Sequence, residues 1–343
     1  MEKSQISFDL IGKVLGEDIY SIQGTLLLKK GTIIKESHIL LLQNHKFGQM
    51  IPMQEKTKKP LVSKNELEYD QFSQYLASEF KRIQDGLSLS NVTAILRNFS
   101  SLLEKTLDDI AITSLFKKQT NSNDYLTQHS IHVGILSAMI GKILSFSRQE
   151  CILLGHMGLL HDIGMLKIPN HLVTKSEPLT TAEVKVVRSH TSTGYDMLKE
   201  VAYISPLIAQ AALLHHERVD GSGYPMAIKE SKIHIMIQII SVADVFNAIC
   251  SDRPYSSQQP YLTAVSNLMN EVRSTKLNPA VVIPFTHYVM RQHLRQKVEL
   301  NSGEVAEVMF IHQNEPDQPL IKVGTEYIDL RKHTKLKIVK PAP

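Results

Sequence analysis

The run LLGHMGLLHDIGMLKIPN, residues 153–170, is apolar enough to be buried, yet it sets a histidine and an aspartate side by side at His161 and Asp162. Its apolar residues follow a helical pattern. Gly164 and Pro169 stop that helix, and Ile168, directly before the proline, is pushed toward extended geometry. Adjacent helical residues point about 100° apart. His161 and Asp162 can therefore reach two neighbouring metal ions. Alternatively, one can bind terminally while the other bridges, a role that suits a carboxylate with its two oxygens. Taken alone, the pair reads equally well as a structural hydrogen bond inside a core.

Three further positions place a polar side chain on an apolar helical face. His129 shares a stripe with Val133, Leu136, Ile140 and Ile143. His190 aligns with Val187 and Gly194, and the glycine permits a close neighbour. Asp244 aligns with Ile237, Ile240 and Ala248. An ionised carboxylate on such a face costs several kcal/mol unless it is paired or bound to a metal. His132 and His156 lie on similar runs, and spacing alone does not exclude them. The stretch HHERVDGSGYP, residues 215–225, adds His215 and His216 at the end of the helical run ISPLIAQAALLHH. Both can face one ion if the helix unwinds there, and Gly221 and Gly223 permit such a loop.

These residues form one set: His129, His161, Asp162, His190, His215, His216 and Asp244. It contains no thiolate and exceeds the four ligands of a closed structural zinc site. A nitrogen and oxygen set of this size holds two divalent ions with positions left for water and substrate. Iron or manganese fits it best. Two ions about 3.5–4 Å apart are the usual device for in-line attack on phosphorus.

The surrounding chain is ordinary. It has 343 residues, of which 43% are hydrophobic and 21% charged, with a net charge of +4. No basic stripe with interleaved aromatics appears, so binding to a nucleic-acid polymer is not expected. Cys151 and Cys250 read as small buried hydrophobes in a reducing compartment. No signal-peptide pattern and no bilayer-length apolar run is seen, so a cytoplasmic protein is expected. The fold class is mainly α, with small β-rich N-terminal and C-terminal elements. Residues 1–60 form the first of these, with a helical pattern from Ser37 to Asn44 and a polar linker at MQEKTKKPLVSKN. Residues 61–114 are a helical extension, 115–297 the main helical domain and 298–343 a β-rich tail. NSND before Tyr125 reads as a helix start, and Thr180 with Glu183 as another.

HDIG, HHERVDGSGYP and VADVFNAICSDRPY, with His129 and His190, resemble the HD-GYP domain over about residues 115–295. HD-GYP proteins are helical, metal-dependent phosphodiesterases of bacterial cyclic di-GMP signalling, within the wider HD phosphohydrolase superfamily. The resemblance implies that His129, His161, Asp162 and Asp244 are the metal ligands common to the superfamily. It implies that His190, His215 and His216 add the second ion, with Asp162 bridging and His161 and Asp162 at the catalytic centre. Gly221, Gly223, Tyr224 and Pro225, with Glu217 and Asp220, match the signature loop bordering the substrate, and Arg253 matches a substrate-proximal position. The implied product is linear pGpG, with GMP on a second cleavage. Three departures stand out. Met165 replaces a family lysine expected near the scissile phosphate, leaving Lys167 as a nearby substitute cation. Tyr125 replaces a glutamate that some members use for a third ion. Asn247 stands where aspartate is frequent. The first departure supports an alternative, a weakly active or inactive module acting as a cyclic dinucleotide receptor or adaptor. A homodimer or a signalling protein is the expected macromolecular partner.

Overall fold

The computed structural model describes residues 2–6, 10, 11, 13–45, 50–53, 64–87, 89, 91–107, 125–175, 177–251, 260–333 and 335–342. The NSND helix start, most of the expected linker, and Arg253 lie outside these residues. The chain is mainly α. Helices α1 (Glu36–His45), α2 (Lys64–Gln84), α3 (Val92–Thr106), α4 (Tyr125–Ile143) and α5 (Arg148–Leu160) come first. A 3-10 turn at Ile163–Lys167 follows. The remainder are α6 (Asn170–Val173), α7 (Thr181–Arg188), α8 (His190–Lys199), α9 (Pro206–Leu214), α10 (Ile235–Cys250), α11 (Tyr261–Arg273) and α12 (Pro279–Arg291).

α4 is the axis of the bundle. It is apolar around its whole circumference, and every residue from His129 to Gly141 is buried. A helix with no polar face must be wrapped by others, and α5, α10, α2 and α12 pack against it. Local chemistry fixes where the wrapping helices begin. Ser147 and Glu150 form a capping box at the start of α5, and Thr180 and Glu183 form the expected one at α7. α9 starts on the Ser205 hydroxyl with Pro206 in its first turn.

Strands β1 (Glu2–Gln5) and β4 (Met50–Met53) pair antiparallel, as do β2 (Ile19–Tyr20) and β3 (Leu26–Leu28). With α1 they enclose a small core of Leu10, Leu15, Ile34, Ile39 and Leu42, separate from the main one. The C-terminal strands β5 (Lys297–Leu300), β6 (Val305–Phe310), β7 (Leu320–Val323), β8 (Glu326–Asp329) and β9 (Ile338–Pro341) form one antiparallel sheet in the order β8-β7-β6-β5-β9. Alternate residues Val298, Leu300, Ala306, Val308, Ile321 and Ile338 turn inward and belong to the same core as the helices. The Arg273 guanidinium, at the end of α11, clasps Asp317 with bonds of 3.0 and 2.8 Å. Cys151 and Cys250 are buried free thiols. Among the described residues no helix is long and apolar enough to cross a membrane.

The structure assigns His132 and His156 to packing. Tyr69 Oη lies 2.9 Å from His132 Nε2, and Ser100 Oγ lies 2.8 Å from His156 Nε2. Burial, with the nearby His129, lowers His132 to about 3, and burial lowers His156 to about 4, from an ordinary 6.5. Both are therefore neutral in the folded state while the unfolded chain takes up their protons near 6.5. The stability they support is complete above that pH and is lost as pH falls toward 4 and then 3. His156→Gln keeps a partner for Ser100 and removes one such proton. It is expected to flatten the acid limb of stability between pH 6.5 and 4, read as unfolding free energy in urea at several pH values.

Candidate metal centre

Chain breaks, not helix middles, present most of the site. α5 ends at Leu160, so His161 and Asp162 sit where the chain passes from α-helix to 3-10 turn. His190 opens α8 after a break at Ser189, so Val187 precedes it on α7 and does not share its helix, contrary to the stripe read from sequence. His215 caps the end of α9, and His216 follows it into the loop. Only His129 on α4 and Asp244 on α10 come from helix interiors.

These seven side chains converge as two groups. Asp162, His190, His215 and His216 offer ligand atoms within 4.8 Å of one another, and so do His129, His161 and Asp244. Asp162 faces both. Its Oδ1 lies 3.2 Å from His190 Nε2 and 3.3 Å from His215 Nε2, and its Oδ2 lies 3.6 Å from both His129 Nε2 and His161 Nε2. Asp244 Oδ1 is 3.3 Å from His129 Nε2, and Asp244 Oδ2 is 4.0 Å from His216 Nδ1.

The hydrogen bonds behind the rings show what the cluster accommodates. His161 Nδ1 donates to the Gly158 carbonyl at 2.7 Å, and His190 Nδ1 to Val187 at 2.7 Å. His215 Nδ1 donates to Ala211 at 2.9 Å and Ala212 at 3.1 Å. With Nδ1 donating backward, each ring turns its Nε2 into the site. The Nε2 atoms crowd together: His190 and His215 Nε2 are 3.4 Å apart, and His129 and His161 Nε2 are 3.3 Å apart. Asp162 Oδ1 sits between His190 and His215, 3.2 and 3.3 Å from their Nε2 atoms. Acceptors this close and this dry are stable only around cations, so the residues fit divalent metal ions.

The protonation states agree. Burial lowers His161 to about 4 and, with the charge of His215, holds His216 well below its ordinary value. Burial pushes Asp162 and Asp244 up, but the surrounding histidines outweigh it and hold both carboxyls well below the usual range. Burial also pushes His190 down, yet the hydrogen bond and charge of Asp162 raise it above 6.5.

The loop after His216 folds back against the site. Glu217 is buried, and its Oε1 and Oε2 accept the Met226 and Ile228 amides at 2.6 and 3.1 Å. Asp220 Oδ1 accepts the Ser222 amide and hydroxyl, and Gly221 takes φ +86° in that turn. Gly223 lies against the backbone of Glu217, where an added Cβ would sit 2.4 Å from Cα. Tyr224 stacks on His216, with ring centroids 4.6 Å apart, and Pro225 is exposed beyond it. Of the four loop residues expected near substrate, Tyr224 is the one whose side chain lies on a site histidine. The Lys167 ammonium donates to the Ile83 carbonyl at the end of α2, so in this conformation it does not stand in for the missing lysine at Met165. Tyr125 stacks flat on His129. Sequence reading missed Ser241, whose hydroxyl donates to the His215 carbonyl at 2.6 Å, and Arg188, whose guanidinium lies 4.5 Å from the Tyr224 ring.

A family model described as the HD domain matches residues 110–281, half of the chain. The chain belongs to the HD domain family. This HD domain protein is 32% identical over 213 residues to a cyclic di-GMP phosphodiesterase of Pseudomonas aeruginosa, covering 62% of the chain and 51% of the relative. It is 33% identical over 218 residues to a cyclic di-GMP phosphodiesterase of Thermotoga maritima, with 62% and 57% covered. A 3′3′-cGAMP-specific phosphodiesterase of Vibrio cholerae is 30% identical over 206 residues, with 59% and 44% covered. The chain spans about half the length of these curated relatives. An HDG"Y"P protein from Bdellovibrio bacteriovorus shares the fold, with a TM-score of 0.56 over 82% of this chain and 97% of that one, at 13% identity. The HD family and the His/Asp cluster together mark a divalent metal-binding site.

Proposed function

We propose that this HD domain protein is a phosphodiesterase that opens cyclic di-GMP to linear pGpG, with GMP following on a second cleavage. The observation that carries the reading is the convergence of seven nitrogen and oxygen ligands into two groups sharing Asp162. His129, His161 and Asp244 would hold one divalent ion and His190, His215 and His216 the other, with one Asp162 oxygen toward each. Iron or manganese suits this donor set. Bound there, a divalent pair supplies water activation and neutralises charge on the phosphodiester. In the reaction, water oxygen bonds to phosphorus in line with the 3′ oxygen, the P–O3′ bond breaks, and the leaving oxygen takes a proton.

The chain's own groups prepare that step. The carbonyls behind His161, His190 and His215 fix each tautomer, so the Nε2 atoms are available without rearrangement. Asp162 and Asp244 remain ionised at neutral pH. The apolar bundle around α4 keeps bulk water from all but one side of the cluster, and Tyr224 walls part of that side.

The cyclic di-GMP relatives favour that substrate, and the relative named for 3′3′-cGAMP makes the mixed dinucleotide the natural comparison. Metal-loaded protein is therefore tested side by side on cyclic di-GMP, 3′3′-cGAMP and pGpG. Faster opening of cyclic di-GMP supports the reading, and exclusive action on another phosphoester refutes it. Met165 favours a second reading, a cyclic dinucleotide receptor that kept its ligands and lost turnover. Met165→Lys separates the two. Hydrolysis that appears only with the lysine supports the receptor, and hydrolysis already present in the wild type excludes it.

A further inference from the structure

We propose that Arg188 binds the second, non-scissile phosphate of a cyclic dinucleotide at the mouth of the metal centre. This rests on the phosphodiesterase reading and adds to it the residue that distinguishes a substrate with two phosphates from one with a single phosphate.

The location of the mouth follows from exposure. The His161 and His215 side chains are 0% exposed, whereas His216 is 21%, Asp162 17% and Asp244 11% exposed. Solvent therefore meets the cluster on the side of His216, and substrate must enter there. Tyr224 stacks on His216 at that opening, and the Arg188 guanidinium lies over the Tyr224 ring. Arg188 is thus one aromatic ring removed from the nearest ligand, too far to share a phosphate with the metal centre but beside it along the entrance.

Its charge is also uncommitted. Among the described residues, no carboxylate or carbonyl accepts from the Arg188 guanidinium, and its recorded contact is the tyrosine face. Two other cations near the site, among the described residues, are committed. Arg218 donates to the Glu217 and His215 carbonyls at 2.9 and 3.4 Å, and Lys167 donates to Ile83. Met165 offers no charge. A guanidinium held by an aromatic face keeps its planar fork of N–H donors free, and that fork matches a phosphate. A cyclic dinucleotide with one phosphate at the metals presents its other phosphate nearby, on the side of the opening where Arg188 offers its charge.

The test uses the full chain with metal, in the forms Arg188→Gln and Arg188→Lys. Gln can still lie on Tyr224 but has no charge. The substrates are cyclic di-GMP and bis(p-nitrophenyl) phosphate, whose single phosphate reaches only the metal centre. Arg188→Gln is expected to raise KM for cyclic di-GMP about tenfold, as loss of a charged hydrogen bond to phosphate implies. The preference for cyclic di-GMP over bis(p-nitrophenyl) phosphate should fall by the same factor, and the salt dependence of kcat/KM should become shallower. Arg188→Lys should recover part of each. An unchanged KM, or an equal loss on both substrates, overturns the proposal, because Arg188 would then serve only to support Tyr224. If wild type cleaves bis(p-nitrophenyl) phosphate but not cyclic di-GMP, the proposed reaction fails and equilibrium dialysis of labelled cyclic di-GMP decides Arg188 separately. Weaker binding to Arg188→Gln than to wild type supports it, and equal or absent binding overturns it.

Discussion

Asp162→Ala is expected to lower cyclic di-GMP hydrolysis by about 10³-fold or more, since in the proposed centre it would be shared by both ions and its loss would remove several kcal/mol of transition-state stabilisation. The size of the effect follows from its position. Asp162 presents Oδ1 to His190 and His215 and Oδ2 to His129 and His161, whereas Asp244 reaches the second group only through His216, at 4.0 Å. Its loss leaves two sets of lone pairs with no shared anion between them. Metal content should fall below two ions per chain, with the His190 group more affected because Asp162 lies closer to it, at 3.2 and 3.3 Å against 3.6 Å on the other side. The metal-free fold should survive. Without the carboxylate, His190 loses the interaction that raises its pKa and becomes a neutral buried imidazole. Elemental analysis of purified protein beside an activity assay checks both halves. Full activity, or two tightly held ions in the variant, would rule out the bridging role.

Gly164→Ala should be the most damaging small substitution in the chain. A Cβ at this position would lie 2.0 Å from the His190 carbonyl oxygen and 2.6 Å from the Gly194 nitrogen. Both are backbone atoms, so no side chain can swing away. The 3-10 turn and α8 would have to separate, carrying His190 away from Asp162. Overpacking of this kind costs about 1–3 kcal/mol, and occasionally more. Here it would also open the metal centre, so metal affinity should drop together with the unfolding free energy. Two neighbouring glycines grade the effect. At Gly194 the nearest atoms would be 3.2 Å and 3.3 Å away, one of them the Ala212 methyl, so Gly194→Ala should be milder. At Gly221 the nearest atom, 3.3 Å away, belongs to the flexible Lys229 side chain, but φ is +86°, so Gly221→Ala should lose about 1 kcal/mol, chiefly through backbone strain. Urea unfolding of the three variants, with metal analysis, tests the order. A Gly164→Ala protein as stable and as metal-loaded as wild type would contradict the close approach of α8.

Most of the convergent His/Asp cluster could be read from the chain because its chemistry is conspicuous. Histidines and carboxylates on apolar helical runs need partners, and the only economical partners for this many acceptors are cations. The capping pair Thr180 and Glu183 was equally legible, because a cap acts over three residues. What remained hidden depends on contacts distant in sequence. Lys167 looked available until the fold brought the end of α2, 84 residues earlier, to its ammonium. Glu217 sits inside a metal-rich motif, yet it grips the amides of its own loop. The break between α7 and α8 was lost in a pattern that reads as one helix, and it is this break that turns His190 inward. Alternation in the C-terminal strands predicts a sheet, but not that Val298, Val308 and Ile321 complete the core of the helical bundle. Arg188 carries no signal in its own sequence neighbourhood, because its contact, Tyr224, arrives from a loop that must first fold back.

The decisive experiment is direct. Protein purified without oxygen and loaded with Fe(II) or Mn(II) is incubated with cyclic di-GMP, and the products are resolved by chromatography beside His161→Ala and Asp162→Ala. The seven-ligand centre predicts metal-dependent pGpG, followed by GMP, and neither product in the two variants. Cyclic di-GMP left intact by protein that demonstrably holds its ions, or cleaved equally well by the variants, would contradict it.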